Sequence, residues 1–103
     1  EASLQKRACG WPHYFYYGGA SDVKELETVR YYDTANFARL LTVPAWFSWG
    51  YNDDVCPPTS MYAAYNVVSS PKELHPYLET GHYWFQEQWD EWLEWLRKRL
   101  LAL

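Results

Sequence analysis

Apolar positions along this chain form one nearly continuous run and several helical stripes. The run V-P-A-W-F-S-W from Val43 to Trp49 ends at Gly50 and passes into the polar loop Y-N-D-D-V-C, bounded by Pro57 and Pro58. Such a run predicts a buried strand with both faces covered. Upstream, Val23, Leu26 and Val29 fit one buried stripe of a helix that Ser21 or Asp22 can cap, running through Arg30 and breaking near Asp33. Phe37, Leu40 and Leu41 predict a further helical turn or two within 34–41. After the polar loop, Pro57, Pro58, Thr59 and Ser60 open a helix over Met61 to Val68, which Ser69, Ser70 and Pro71 stop. A second, less apolar strand is expected from Glu73 to Leu78, with Pro76 marking it as lying near a sheet edge. It leads into Gly81, which turns the chain, and His82. From about Phe85 onward, Phe85, Trp89, Trp92, Leu93, Leu96 and Leu100 predict a strong amphipathic helix. Acidic Asp90, Glu91 and Glu94 precede basic Arg97, Lys98 and Arg99 there, the order the helix dipole favours, and these charges read as a solvated face.

The expected order is therefore helix, strand, loop, helix, strand, loop, helix over 22–103, in a single domain. An irregular aromatic segment, with Gly10, Pro12, Gly18 and Gly19, precedes it over 1–21. The connection between the two strands has the length of a right-handed crossover, so they should be parallel. Parallel strands present their C-terminal ends on one edge, which brings the carboxylate loop beside the loop of His82. Two parallel strands leave apolar backbone edges without partners. The chain also begins at Glu1 rather than Met. It is expected to be the C-terminal part of a larger sheet protein, with the missing strands upstream or on another chain; a second copy paired on the open edge, giving a homo-oligomer, is the other way to close it.

Composition narrows the function. Nine basic and thirteen acidic residues give a formal charge of −4, which argues against nucleic acid and anionic membrane surfaces as partners. The chain has neither an apolar stretch long enough to span a membrane nor the charged and apolar regions of a signal peptide. Seven Trp, ten Tyr and four Phe in 103 residues are more rings than a core of this size needs, and rings are also surfaces on which sugars stack.

The chemistry centres on Asp53, Asp54 and His82. A carboxylate and an imidazole at neighbouring strand ends can form the orienting half of a nucleophilic triad, the acid fixing the tautomer of the base. From the residues alone either aspartate could serve, and a loop aspartate can equally cap a helix, as Asp54 could for the one opened by Pro58. No Gly-x-Ser-x-Gly elbow is present; Ser48, in W-F-S-W-G, reads as a strand hydroxyl rather than a nucleophile. Cys56 reads as a small buried residue rather than half of a bridge to Cys9. His13 and His75 have no metal-ligand spacing and read as structural, and the chemistry requires neither metal nor cofactor.

The segments D-T-A-N-F-A-R (Asp33 to Arg39), V-P-A-W-F-S-W-G-Y-N-D-D-V-C-P-P-T-S-M-Y-A-A-Y-N (Val43 to Asn66), P-K-E-L (Pro71 to Leu74) and Gly81-His82 resemble the C-terminal third of the acetyl xylan esterase and cephalosporin C deacetylase family of α/β-hydrolases. The family pattern Gly-x-x-Asp-x-x-Cys-Pro-Pro followed by Ala-Ala-Tyr-Asn is matched at Gly50, Asp53, Cys56, Pro57, Pro58 and Ala63 to Asn66. The resemblance implies the C-terminal part of an α/β-hydrolase fold, with Asp53 rather than Asp54 as triad acid and His82 as triad base. It implies a substrate that is an acetylated saccharide or another small acyl ester, and a nucleophile carried by an upstream segment, so that these residues alone should be inactive. Where the family often continues from the histidine with Glu-Gly, Tyr83, Trp84 and Phe85 follow here, implying a more aromatic pocket wall. The alternative is a non-catalytic aromatic module that binds carbohydrate or docks on a partner sheet.

Overall fold

A computed structural model of the chain describes residues 23–102, apart from the side chains of Glu25 and Leu26. The irregular segment, the caps Ser21 and Asp22, Cys9 and His13 lie outside the described residues. The elements are α1 (Val23–Val29), α2 (Thr34–Ala38), β1 (Ala45–Gly50), α3 (Pro58–Val67), β2 (Lys72–Tyr77) and α4 (Gln86–Leu101). None of the described helices is long and apolar enough to cross a membrane.

Several boundaries differ from expectation for local reasons. The first helix stops at Val29 instead of continuing through Arg30, and Val29 is buried while Val23 is exposed. Asp33 does more than break it: its side chain accepts a hydrogen bond from the Ala35 N–H at 2.9 Å and so caps a separate helix, α2. β1 begins at Ala45, because Pro44 has no N–H to give; the Ala45 N–H is the first to reach across, to the Pro71 carbonyl at 2.9 Å. Helix α3 starts at Pro58, a residue that needs no N–H partner in a first turn, and its N-cap position is Pro57, with no side chain capping it. Asp54 is therefore not the cap of this helix. At the other end, the Lys72 ammonium donates to the carbonyls of Tyr65 (2.8 Å) and Val68 (2.9 Å), closing α3 and tying it to the start of β2.

β1 and β2 form a parallel pair with Ala45 opposite Lys72 and Gly50 opposite Tyr77. Alternation then sorts the side chains to two faces. On one face Phe47 packs edge-on against Tyr65 and Trp49 against Tyr62, ring centroids 5.3 and 4.9 Å apart, which seats α3. On the other, Trp46 stacks on His75 at 5.1 Å, Ser48 accepts from Gln88, and Tyr77 donates to Glu91 at 2.6 Å, which seats α4. The result is helix, sheet, helix in three layers. The ladder is bracketed by the Ala45-to-Pro71 bond and a Tyr51-to-Tyr77 bond of 2.9 Å. Residues 73, 75 and 77 thus address β1, and Pro76 lacks a donor only toward the open side.

Two expectations about burial do not hold. Within β1 only Trp49 and Gly50 are buried and the residues from Ala45 to Ser48 are half-buried, because one neighbouring strand and one helix per face cannot enclose rings of this size. At α4 the N-cap Phe85 and, within the helix, Trp92 and Leu96 are half-buried as expected, joined by Gln88, Trp95 and Arg99, but Trp89, Leu93 and Leu100 are exposed. Nor are its charges merely a solvated face. Arg99 pairs with Glu73 at 2.5 Å, the Trp95 indole N–H donates to the same carboxylate at 2.8 Å, and His75 stands 3.5 Å from Glu91 and 3.6 Å from Glu73. Polar ladders of this kind supply orientation where apolar burial is modest.

The strand ends meet at Gly50. A Cβ there would collide with the backbone oxygens of Thr80 and Gly81, the first 2.5 Å away, so only glycine lets the two loops close. Gly81, expected to be the turning residue, is not under the same constraint: a Cβ on it would meet Asn52 O at 3.7 Å and Tyr83 Cε1 at 3.8 Å, ordinary contacts. Gly50→Ala should accordingly destabilise the fold by about 1–3 kcal/mol through overpacking against backbone, whereas Gly81→Ala should stay within about 0.5 kcal/mol. Urea denaturation of the two variants checks this; equal losses would show that the approach at Gly50 is not limiting.

Candidate active site

Past Gly50 the chain makes a turn whose backbone is tied to the loop after β2. The Asn52 N–H donates to the Thr80 carbonyl (3.0 Å) and the Asn52 side-chain amide to the Leu78 carbonyl (2.9 Å). The Thr80 hydroxyl in turn donates to the Tyr77 carbonyl at 3.1 Å. Asn52 and Thr80 are the positioning residues that sequence reading passed over. The signal for Asn52 is its place in the polar N-D-D triplet just past the apolar strand, beside the charged residues that carry the chemistry.

Asp53 follows. Its Oδ1 accepts from the backbone N–H groups of Val55 (2.9 Å) and Cys56 (2.7 Å), an arrangement typical of aspartate in a turn. Its Oδ2 lies 2.9 Å from Nδ1 of His82, 29 residues further on. The Asp53 side chain is only 8% exposed and that of His82 is 53% exposed. A buried carboxylate thus holds a half-exposed imidazole. Because an ionised carboxylate only accepts, the contact requires Nδ1–H and leaves Nε2 as the acceptor of the neutral ring. Burial pushes the Asp53 carboxyl up, but the Cys56 N–H, the His82 hydrogen bond, the Val55 N–H and the charge on His82 together outweigh it and hold the group below its ordinary value.

The other expected residues fall elsewhere. Asp54 is exposed beside the pair. Ser48 lies on the α4 side of β1, hydrogen-bonded to Gln88. It lines a groove of about 360 Å³ with Trp46, Phe47, Trp84, Gln88, Trp89 and Trp92, in which neither Asp53 nor His82 takes part. Cys56 is half-buried rather than buried. His75 is sandwiched between Trp46 and two glutamates, and among the described residues no three His, Cys, Asp or Glu side chains converge as metal ligands.

Comparison with known proteins draws these features together. The family model described as acetyl xylan esterase (AXE1) matches residues 13–99. The chain belongs to the acetyl xylan esterase family. Acetyl esterase Axe7A of Xylanibacter ruminicola is 44% identical over 70 residues, 68% of this chain and 16% of its own length. The fold resembles that of an acetyl xylan esterase from Paenibacillus sp. R4, with a TM-score of 0.74 at 24% identity over 93% of this chain and 33% of the other. It also resembles acetyl xylan esterase 1 from Thermoanaerobacterium sp. JW/SL YS485, with a TM-score of 0.66 at 28% identity, covering 79% of this chain and 26% of that one. This family member therefore spans no more than about a third of each relative.

The lowered pKa of Asp53 links its hydrogen bonds to stability. A carboxyl whose folded pKa is lowered contributes stability that is fully present above the unfolded value, roughly 3.9, and is lost as pH falls through the folded value. Asp53→Asn should cost about 1–3 kcal/mol near neutral pH and flatten the acid side of the stability profile. Urea midpoints measured from pH 7 down to pH 2 test this, and an unchanged acid slope in the variant would count against it.

Proposed function

We propose that this chain supplies the acid and base of a Ser-His-Asp triad in a carbohydrate esterase that removes acetyl groups from saccharide hydroxyls, with Asp53 as the acid and His82 as the base. The observation that carries the reading is the 2.9 Å contact between Asp53 Oδ2 and His82 Nδ1 at adjacent parallel strand ends, in a chain of the acetyl xylan esterase family. The nucleophile is a serine from a segment preceding these residues. Ser48 is unsuited to the task, since it sits within a strand and on the helix-facing side.

In this reading the carboxylate keeps the proton of His82 on Nδ1, so Nε2 takes the serine proton as the hydroxyl attacks the acetyl carbonyl. The imidazolium so formed lies against an ionised Asp53, whose low pKa keeps it ionised at that moment. The imidazolium then returns the proton to the departing sugar oxygen, leaving an acetyl-serine. A water, deprotonated by Nε2, releases acetate and restores the serine. The donors that stabilise the tetrahedral oxyanion belong, like the serine, to the preceding segment.

The sheet belongs, on the same reading, to the C-terminal part of an α/β-hydrolase domain. Two features favour this: the outward backbone groups of β1, and the aromatic groove formed by Trp46, Trp84, Trp89 and Trp92 beside that strand. Further strands would pair with the first and a further helix would fill the second. Family membership favours this reading over that of a non-catalytic aromatic module.

In the polypeptide that joins this segment to its serine, His82→Ala and Asp53→Asn should each lower kcat for acetyl ester hydrolysis by roughly 10⁴-fold, the scale seen when a triad acid loses its charge. The 103 residues alone should show no acyl-enzyme burst. Steady-state and burst assays with an aryl acetate decide, and full activity in His82→Ala would sink the assignment.

A further inference from the structure

The residue after His82 carries an aromatic ring that the described fold does not use. Tyr83 is 62% exposed, and neither its ring nor its hydroxyl has a partner among the described residues. Its neighbour Trp84 differs: its ring packs edge-on against Trp89 at 5.0 Å and belongs to the aromatic stack of α4. Yet Tyr83 is not randomly placed. Its N–H donates to the Gly81 carbonyl at 2.9 Å, folding the chain back on itself around His82. Its Cε1 stands 3.8 Å from the point a Gly81 Cβ would occupy, a point that is also 3.7 Å from the Asn52 carbonyl oxygen. The ring edge therefore lies beside Gly81, at the junction of the two loops that bring Asp53 to His82.

We propose that Tyr83 is a stacking platform for the sugar ring whose ester His82 helps to cleave, and so a determinant of preference for saccharide esters. The inference rests on the esterase reading and adds a substrate-positioning role to it. Pyranose rings present faces of C–H groups that pack on aromatic faces, and an exposed ring on the residue that follows the base can hold the sugar while the serine attacks its acetyl group and Nε2 hands the proton to the departing sugar oxygen. A platform needs the π face and not the hydroxyl, consistent with a hydroxyl that has no partner in the described fold.

The test compares kcat/KM on an acetylated xylo-oligosaccharide with kcat/KM on a short alkyl acetate, which has no ring to stack. It uses the complete polypeptide bearing Tyr83, Tyr83→Phe, Tyr83→Trp or Tyr83→Ala. Tyr83→Ala should lower the ratio of the two values roughly tenfold, through KM for the oligosaccharide, on the scale of one lost aromatic contact. Tyr83→Phe and Tyr83→Trp should retain the ratio. An equal fall on both esters in Tyr83→Ala would mean that the ring only packs against protein, and would overturn the platform. So would an unchanged ratio, or a Phe variant as impaired as the Ala variant. A parent polypeptide that hydrolyses neither ester would overturn the esterase reading itself, and the platform with it.

Discussion

The arrangement of this chain depends on how closely the ends of β1 and β2 can approach. Parallel pairing alone brings the two loops to one edge, but the sheet spacing is set by backbone hydrogen bonds and does not by itself join the loops that follow. Gly50 removes the one side chain that would hold them apart, against the Thr80 and Gly81 oxygens. Asn52 then bonds the loops together with both its backbone and its side chain. Everything at the candidate site is downstream of that approach. A methyl group at Gly50 would act on geometry three residues away from the carboxylate rather than on the carboxylate itself.

Asp53 converts that approach into chemistry because its two oxygens do different work. Oδ1 organises the loop through the Val55 and Cys56 N–H groups, and Oδ2 faces His82. The loop that leads into α3 and the imidazole are thus referenced to a single buried group. Burial alone would raise its pKa; three donors on two oxygens reverse the balance. Asp54, one residue on, has the same chemistry and no such donors in the turn, which is why adjacent identical residues have different fates.

Element types were legible from the sequence because the relevant signals are local. A continuous apolar run, a Pro-Pro helix opening and a stripe of helical spacing each specify a conformation without reference to distant residues. Residue roles that depend on a partner were less legible. The α4 stripe was assigned from hydrophobicity alone, whereas the structure docks the helix through Trp95, Arg99 and Glu91 onto Glu73, His75 and Tyr77, polar residues whose complementarity appears only once β2 lies underneath. Asp33 reads in the sequence as a break and caps α2 in the fold, since a cap and a break differ only in what the next three residues do. The contact of Asp53 with His82 was anticipated from parallel topology, but the choice between Asp53 and Asp54 came from register in a family pattern, not from any local property of the two residues.

The two edges of the sheet are not equivalent, and the difference bears on how the domain is completed. Beside β2, the layer between strand and α4 is filled with mutually satisfied groups: Glu73 with Arg99 and Trp95, Tyr77 with Glu91, and His75 between two carboxylates. Pro76 is a strand residue that cannot donate to a further neighbour on the open side. Beside β1, by contrast, the same layer opens into a groove of indole rings, with Ser48 and Gln88 satisfying each other within it. On the proposed hydrolase reading, polar closure on one side and apolar surface on the other fit β2 as the last strand, with further strands joining beyond β1. The same reading places the serine on the β1 side of Asp53, within the same row of strand ends, where the Nε2 of His82 can serve it.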